Sequence, residues 1–166
     1  MRVVVAGSRR LPRGHAARLV VGSLVRMPED TTVVLRHPHT GTPGLFEVDV
    51  AAVCGIIGLA VVWASVDPVF VEDPESETGW REVLGKEATF ARDLKMVREA
   101  DLVLTFVDEE SAVDTRVGTT SLALKAAEEE TPVYQFAYRH LGDDRWELVL
   151  VGSDDPSDKY LRYVPT

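Results

Sequence analysis

Asp101-Leu102-Val103-Leu104-Thr105-Phe106-Val107 is the stretch on which the fold turns. It is of strand length, rich in branched and aromatic side chains, and almost unbroken in its apolar character. A strand with one wet face alternates polar and apolar residues. A strand that is apolar on both faces must be covered on both, as in parallel sheets. Arg2-Val3-Val4-Val5-Ala6 near the amino terminus and residues 132–138 beyond the run have the same character.

Working outward, residues 87–100 carry a helical period, with Phe90, Leu94 and Val97 on the inner side and Arg92, Lys95 and Arg98 on other faces. A second helix is expected over about 119–130. On the amino-terminal side, a helix over 15–27 places Leu19, Val20, Leu24 and Val25 on one side; Pro28-Glu29-Asp30 ends it, and residues 31–36 form the next strand. An apolar helix is expected over 46–64, then a short third strand, Val69-Phe70-Val71, and an acidic loop over 72–79. Residues 145–151 are expected to pair with 132–138 as a hairpin. Strands alternating with single helices call for right-handed crossovers. The expectation is α/β: a Rossmann-like three-layer α/β/α domain with a mainly parallel sheet of about five strands and an antiparallel C-terminal hairpin strand. All 166 residues are read as one domain.

Composition narrows the function. At 45% apolar and 27% charged residues the chain has an ordinary globular make-up. A formal net charge of -9 argues against a nucleic-acid partner, which needs a basic face. A small anion remains compatible, because a few local donors override the average. Cys54 is the single cysteine and can form no internal disulfide, which fits a reducing cytoplasm. The apolar start is too short for a signal peptide. Residues 50–66 are uncharged over 17 positions, the lower edge of a membrane span, but Gly55 and Gly58 interrupt them and strand-like sequence follows. A buried helix is the reading, with no membrane partner.

Ligands of such a sheet bind where strands end and helices begin, because helix amino termini offer free amides and a positive dipole end. Three loops have the composition. Gly7-Ser8-Arg9-Arg10 combines close backbone approach, a hydroxyl and forked cations; its plainer reading is a strand-ending turn. The segment 37–44 (His-Pro-His-Thr-Gly-Thr-Pro-Gly) is either a surface connection or a backbone wall. Its His37 and His39 form a pair without a defined third ligand, so no metal is expected. Gly118-Thr119-Thr120-Ser121 opens a helix and suits an anion, although Thr and Ser are also ordinary caps.

These loops together resemble the SLOG superfamily, which includes the Smf/DprA DNA-processing proteins and the Lonely Guy phosphoribohydrolases. The likeness is to its small stand-alone bacterial and phage branch, the YAcAr-like proteins. Val4-Val5-Ala6-Gly7-Ser8-Arg9 is similar to the opening strand and loop. Val62-Trp63-Ala64, Trp80, Gly85-Lys86-Glu87-Ala88 with Arg92, Ala100-Asp101-Leu102-Val103-Leu104, Gly118-Thr119 and Thr131-Pro132-Val133 follow in the same order. The likeness covers about residues 2–138. Departures are the bulky 37–44 loop, Asp93 where the branch has Asn, and Leu122 where Lonely Guy enzymes carry the catalytic glutamate.

The resemblance implies a pocket for a nucleotide or nucleotide-derived ligand. The candidate binding residues are Gly7, Ser8 and Arg9, Thr40, Gly41 and Thr42, Arg92, and Gly118, Thr119 and Thr120, with Lys86 weaker. Amides after the first strand and before the last helix are expected to converge on one anion. Two classes stay open: a sensor-like binding protein, which is favoured, and a nucleosidase-like hydrolase of an N-glycosidic bond. Hydrolysis needs a carboxylate near the anomeric carbon. Glu47 and Asp114 are the candidates singled out among Glu47, Asp49, Asp108, Glu109, Glu110 and Asp114, and spacing does not choose between them. Asp101, at the far end of its strand, is read as a structural carboxylate. No cofactor is implied. The apolar segment 50–66 is expected to form a homo-oligomer as one helix with too little polar surface.

Overall fold

In a computed structural model, residues 1–11, 15–37, 44–66, 69–83, 86–113, 118–143 and 145–153 are described. The elements run β1 (Arg2–Gly7), α1 (His15–Leu24), β2 (Thr32–Arg36), α2 (Leu45–Ile57), β3 (Ala60–Ala64), β4 (Val69–Glu72), β5 (Trp80–Val83), α3 (Lys86–Glu99), β6 (Leu102–Asp108), α4 (Gly118–Glu128), β7 (Val133–Gly142) and β8 (Arg145–Ser153). Six strands form one sheet in the order β3-β2-β1-β6-β7-β8, and β4 and β5 form a separate ribbon. Pairing is parallel from β3 to β7. The last strand, β8, pairs antiparallel with β7 as the hairpin reading expects. The fold is Rossmann-like α/β.

Two apolar clusters sandwich the sheet. Val3, Val5, Leu102, Leu104 and Phe106 point into one, with Val20, Leu24, Phe46, Val50 and Cys54 from α1 and α2. Val4, Ala6 and Val103 point into the other, with Met96, Val97, Leu122 and Ala126 from α3 and α4. The period of two along each strand thus feeds both faces. Every residue of β6 is buried, which is why it reads as a continuous apolar run. Cys54 lies inside the first cluster, and burial pushes its thiol up to about 11, so it is an inert core residue. Asp101 accepts from the Arg2 amide at 2.7 Å, tying β1 to the start of β6.

The 46–64 helix is not one helix. It stops at Ile57, and Gly58 takes a left-handed φ of 82°. The amides of Gly58 and Leu59 both donate to the Cys54 carbonyl, closing the helix end. The branched residues that follow become β3, in register with β2 from Thr32↔Ala60 to Arg36↔Ala64. Uniform apolar character conceals such a break, because a helix buried on several sides and an adjoining buried strand have no period to tell them apart. The true third strand is therefore residues 60–64. The segment 69–71 instead belongs to the β4–β5 ribbon, with Phe70 and Trp80 exposed.

Smaller differences share one cause, tertiary contact overriding local pattern. The first helix, α1, ends at Leu24 rather than 27, and Val25 lies outside, as does Phe90 on α3. In contrast, Asp93 on α3 is buried. No helix among the described residues is long and apolar enough to cross a membrane.

Two glycines, one within α2 and one capping it, should respond in opposite directions. Nothing lies within 4 Å of a Cβ added at Gly55 or Gly58, but only Gly58 has positive φ. Gly58→Ala is expected to cost roughly 1–2 kcal/mol in urea unfolding, whereas Gly55→Ala is expected to stabilise by about 0.5 kcal/mol.

Candidate anion-binding site

The order of strands creates a crevice. From β1 the chain crosses to β2 on one side, while β6 lies on the other, so β1 and β6 sit at the point where the winding reverses. A cavity of about 550 Å³ opens at their carboxyl ends. That is the size of a small-molecule site.

Several separate parts of the chain meet there. The end of β1 contributes Gly7, Ser8, Arg9 and Arg10, and β2 ends in Arg36. The start of α2 brings Gly44 and Glu47; Val66 and, from α3, Thr89 and Arg92 form another side. Ser111 and the first residues of α4, Gly118 and Thr119, complete it. Ser8 and Thr119, about 110 residues apart in sequence, therefore face one space. Thr120 does not: its hydroxyl donates to the Ser111 carbonyl at 2.6 Å and holds the β6–α4 connection. Thr40, Gly41, Thr42, His39 and Asp114 lie outside the described residues, as does the side chain of Lys86.

Glycine at position 7 has a packing reason. A Cβ there would come within 2.3 Å of the Phe46 ring, which lies against Phe106 at 5.9 Å. The amides after β1 are mostly spent on structure: Ser8 N–H donates to the Phe106 carbonyl, Leu11 N–H to the Ser8 carbonyl and Arg10 N–H to Ser8 Oγ. The 7–10 loop therefore has mainly side chains left to offer a ligand, in place of the expected amide cradle.

Arg36 is the cation that sequence reading missed. It donates from Nη2 to Thr119 Oγ1 at 3.2 Å, and a Cβ on Gly118 would touch its Nη1 at 3.4 Å. No carboxylate among the described residues forms an ion pair with it. Burial pulls the guanidinium below its ordinary value; Asp93 and Glu47 oppose the fall, while Arg92 and Arg9 add to it. An anion arriving beside Arg36 and the amino end of α4 relieves both the desolvation and the crowding of cations. Its position was available as a signal, since a charged residue closing an apolar strand sits at the ligand-bearing edge of the sheet.

Arg92 is a different kind of cation. Its Nε and Nη2 reach Asp93 Oδ1 at 2.9 and 2.8 Å, and Nη1 donates to the His37 carbonyl at 2.9 Å. Both side chains are nearly buried, at 8% and 4% exposure, so the pair is not a bridge on an exposed helix face. It ties α3 to the end of β2 and leaves Arg92 largely neutralised at the cavity wall.

The carboxylates separate by their surroundings. Glu47 lines the cavity in the first turn of α2, its carboxylate folded back towards Gly44. Asp49 is not a lining residue. Glu109 is held by Arg139 and Glu110 by Arg10, both on the exposed surface. Asp108 is buried behind Ser8: it accepts from Ser8 Oγ at 3.1 Å, from Ser111 Oγ, and from the Ser111 amide at 3.3 Å. Burial works to raise its pKa, but the hydrogen bonds from Ser111 and Ser8 and the backbone outweigh it, and the group is held below its ordinary 3.8. No group of three or more His, Cys, Asp or Glu side chains is arranged for a metal among the described residues.

Fold and cavity define a Rossmann-like α/β protein with a ligand-sized, arginine-rich cavity at the carboxyl edge of its sheet. No protein-family model matches the chain, and no curated protein sequence does.

Because its folded value is depressed, Asp108 contributes stability that is present above 3.8 and is lost as pH falls through the folded value. Urea unfolding at stepped pH between about 4 and about 2 should therefore show a steeper loss for the wild type than for Asp108→Asn.

Proposed function

We propose that this protein binds a nucleotide or nucleotide-derived anion in the cavity between β1, β6 and the start of α4. The observation that carries the reading is Arg36: a cation without a carboxylate partner among the described residues, set against Thr119 and Gly118 at a helix amino terminus. The resemblance to the SLOG superfamily supports a nucleotide over other anions, and a sensor-like binding role fits a site whose cations outnumber its carboxylates. Arg9 and Arg36 face the anion, and Ser8 and Ser111 face the remainder of the ligand.

Native mass spectrometry of the purified protein, followed by thermal shift with nucleoside monophosphates and NAD, tests the reading. A co-purified or stabilising nucleotide is expected. Arg36→Ala should weaken its binding by roughly ten- to a hundredfold, the loss of one charge-assisted contact. No ligand and no shift across the panel would sink the proposal.

A second reading has one specific observation behind it: Glu47 places a carboxylate in the same cavity. A nucleosidase-like hydrolase would use it near the anomeric carbon. Incubation with the panel and chromatography should show no free base; base release abolished by Glu47→Gln would establish hydrolysis instead.

The expected homo-oligomer is proposed through a different surface from a single long helix. At the sheet edge, β3 has one side unpaired among the described residues and lacks the charges and prolines that guard such edges. Val62 on it and Ile56 on α2 are exposed. A chain of net charge -9 repels its own copies over most of its surface; the uncharged segment 50–66 is where two copies meet without that cost, β3 beside β3 across a two-fold axis. Sedimentation should give about twice the 18.3 kDa chain mass, falling to one chain in Val62→Lys. A wild-type monomer at micromolar concentration would refute the contact. No nucleic-acid or membrane partner is proposed, and a reducing cytoplasm is the proposed location.

A further inference from the structure

The hydroxyls around the cavity differ in where their protons are. Thr119 Oγ1 accepts from Arg36 Nη2 and so keeps its own proton to donate. Ser8 and Ser111 are in the opposite state. Both Oγ atoms donate to the same oxygen of Asp108, Oδ1, and an ionised carboxylate can only accept. The far oxygen, Oδ2, takes the Ser111 amide at 3.3 Å and Arg10 Nη1 at 3.5 Å. Each serine therefore has only lone pairs left to offer a ligand in the cavity it lines. Ser8 Oγ has one lone pair occupied by the Arg10 amide at 3.2 Å, and Ser111 Oγ accepts from none of the described residues.

We infer that Ser8 and Ser111, oriented by Asp108, recognise hydroxyl donors beside the bound anion, so that the cavity selects a ribose phosphate over its 2-deoxy counterpart. The inference deepens the anion-site reading and rests on it. Arg36, Thr119 and the start of α4 form a wall of donors, which suits phosphate; the Ser8 and Ser111 hydroxyls, with Arg9 and Arg10 alongside, form a wall that offers acceptors to a sugar diol. The two walls fix the direction in which the ligand lies. Asp108 has no need to touch the ligand; it acts as a positioning residue by keeping the serine protons on its own side. A deoxy sugar leaves one serine acceptor facing an apolar CH₂, a contact that costs as an unmade hydrogen bond does.

Calorimetric titration with ribose 5-phosphate and 2-deoxyribose 5-phosphate tests this on the full chain, alongside Ser111→Ala and Asp108→Asn. The wild type is expected to favour ribose 5-phosphate by roughly tenfold. In both variants the ratio of the two affinities should fall towards one. A variant that is merely loosened would lose affinity for both sugars alike and keep the ratio, so the ratio separates positioning from stability. Equal wild-type affinities, or a ratio unchanged in both variants, overturns the inference while leaving the anion site standing. Binding of inorganic phosphate with neither sugar phosphate also overturns it alone. Failure of all three probes overturns the site and the inference together.

Discussion

The structure depends on the parallel pairing of β1 with β6, from Val3↔Leu102 to Gly7↔Phe106. Both strands are buried on two faces, and parallel neighbours cannot be joined by a tight turn. The chain must therefore leave each strand through a crossover, and the crossovers from β1 and β6 depart to opposite sides. Their carboxyl ends are left facing the cavity. The pairing extends to the last polar link, the Ser8 amide on the Phe106 carbonyl, and only beyond it does the chain open into loops. Gly7 at this point permits Phe46 of α2 to close on the sheet, so core packing and cavity shape share a residue.

An acidic protein thus presents a cavity whose wall is cationic. The two facts are compatible because the arginines gather from separate elements: Arg9 and Arg10 after β1, Arg36 at the end of β2, Arg92 on α3. Neighbouring carboxylates then decide what several of them do. Asp93 neutralises Arg92 and turns it into a tether for β2. Glu110 and Asp108 engage Arg10. Arg36 donates to the Thr119 hydroxyl and forms an ion pair with no carboxylate among the described residues, although Asp93 and Glu47 act on it from a distance. Asp108 acts on hydroxyls as Asp93 acts on a guanidinium, fixing polarity without entering the site.

The amino-acid order by itself determined the layer architecture, because it follows from composition within short windows. Runs such as 2–6 and 101–107 have no hydrophilic face and had to be buried in a parallel sheet; the helical period of 87–100 and the turn residues at 28–30 required crossovers between them. It also marked Gly7, Ser8, Arg9, Gly118 and Thr119 as loop residues at strand ends, the positions that line the cavity. Tertiary structure alone decided the rest. Within 46–64 no local period separates buried helix from buried strand, and only the left-handed Gly58 with its bonds to Cys54 divides α2 from β3. Likewise Ser111, Arg36 and Asp108 are an ordinary loop serine, a strand-ending arginine and one acid among many until the sheet order brings them beside Ser8 and Thr119. Hydrogen bonds between residues about a hundred positions apart have no signature in either local sequence, because the distance that matters is set by how the crossovers fold back and not by spacing along the chain.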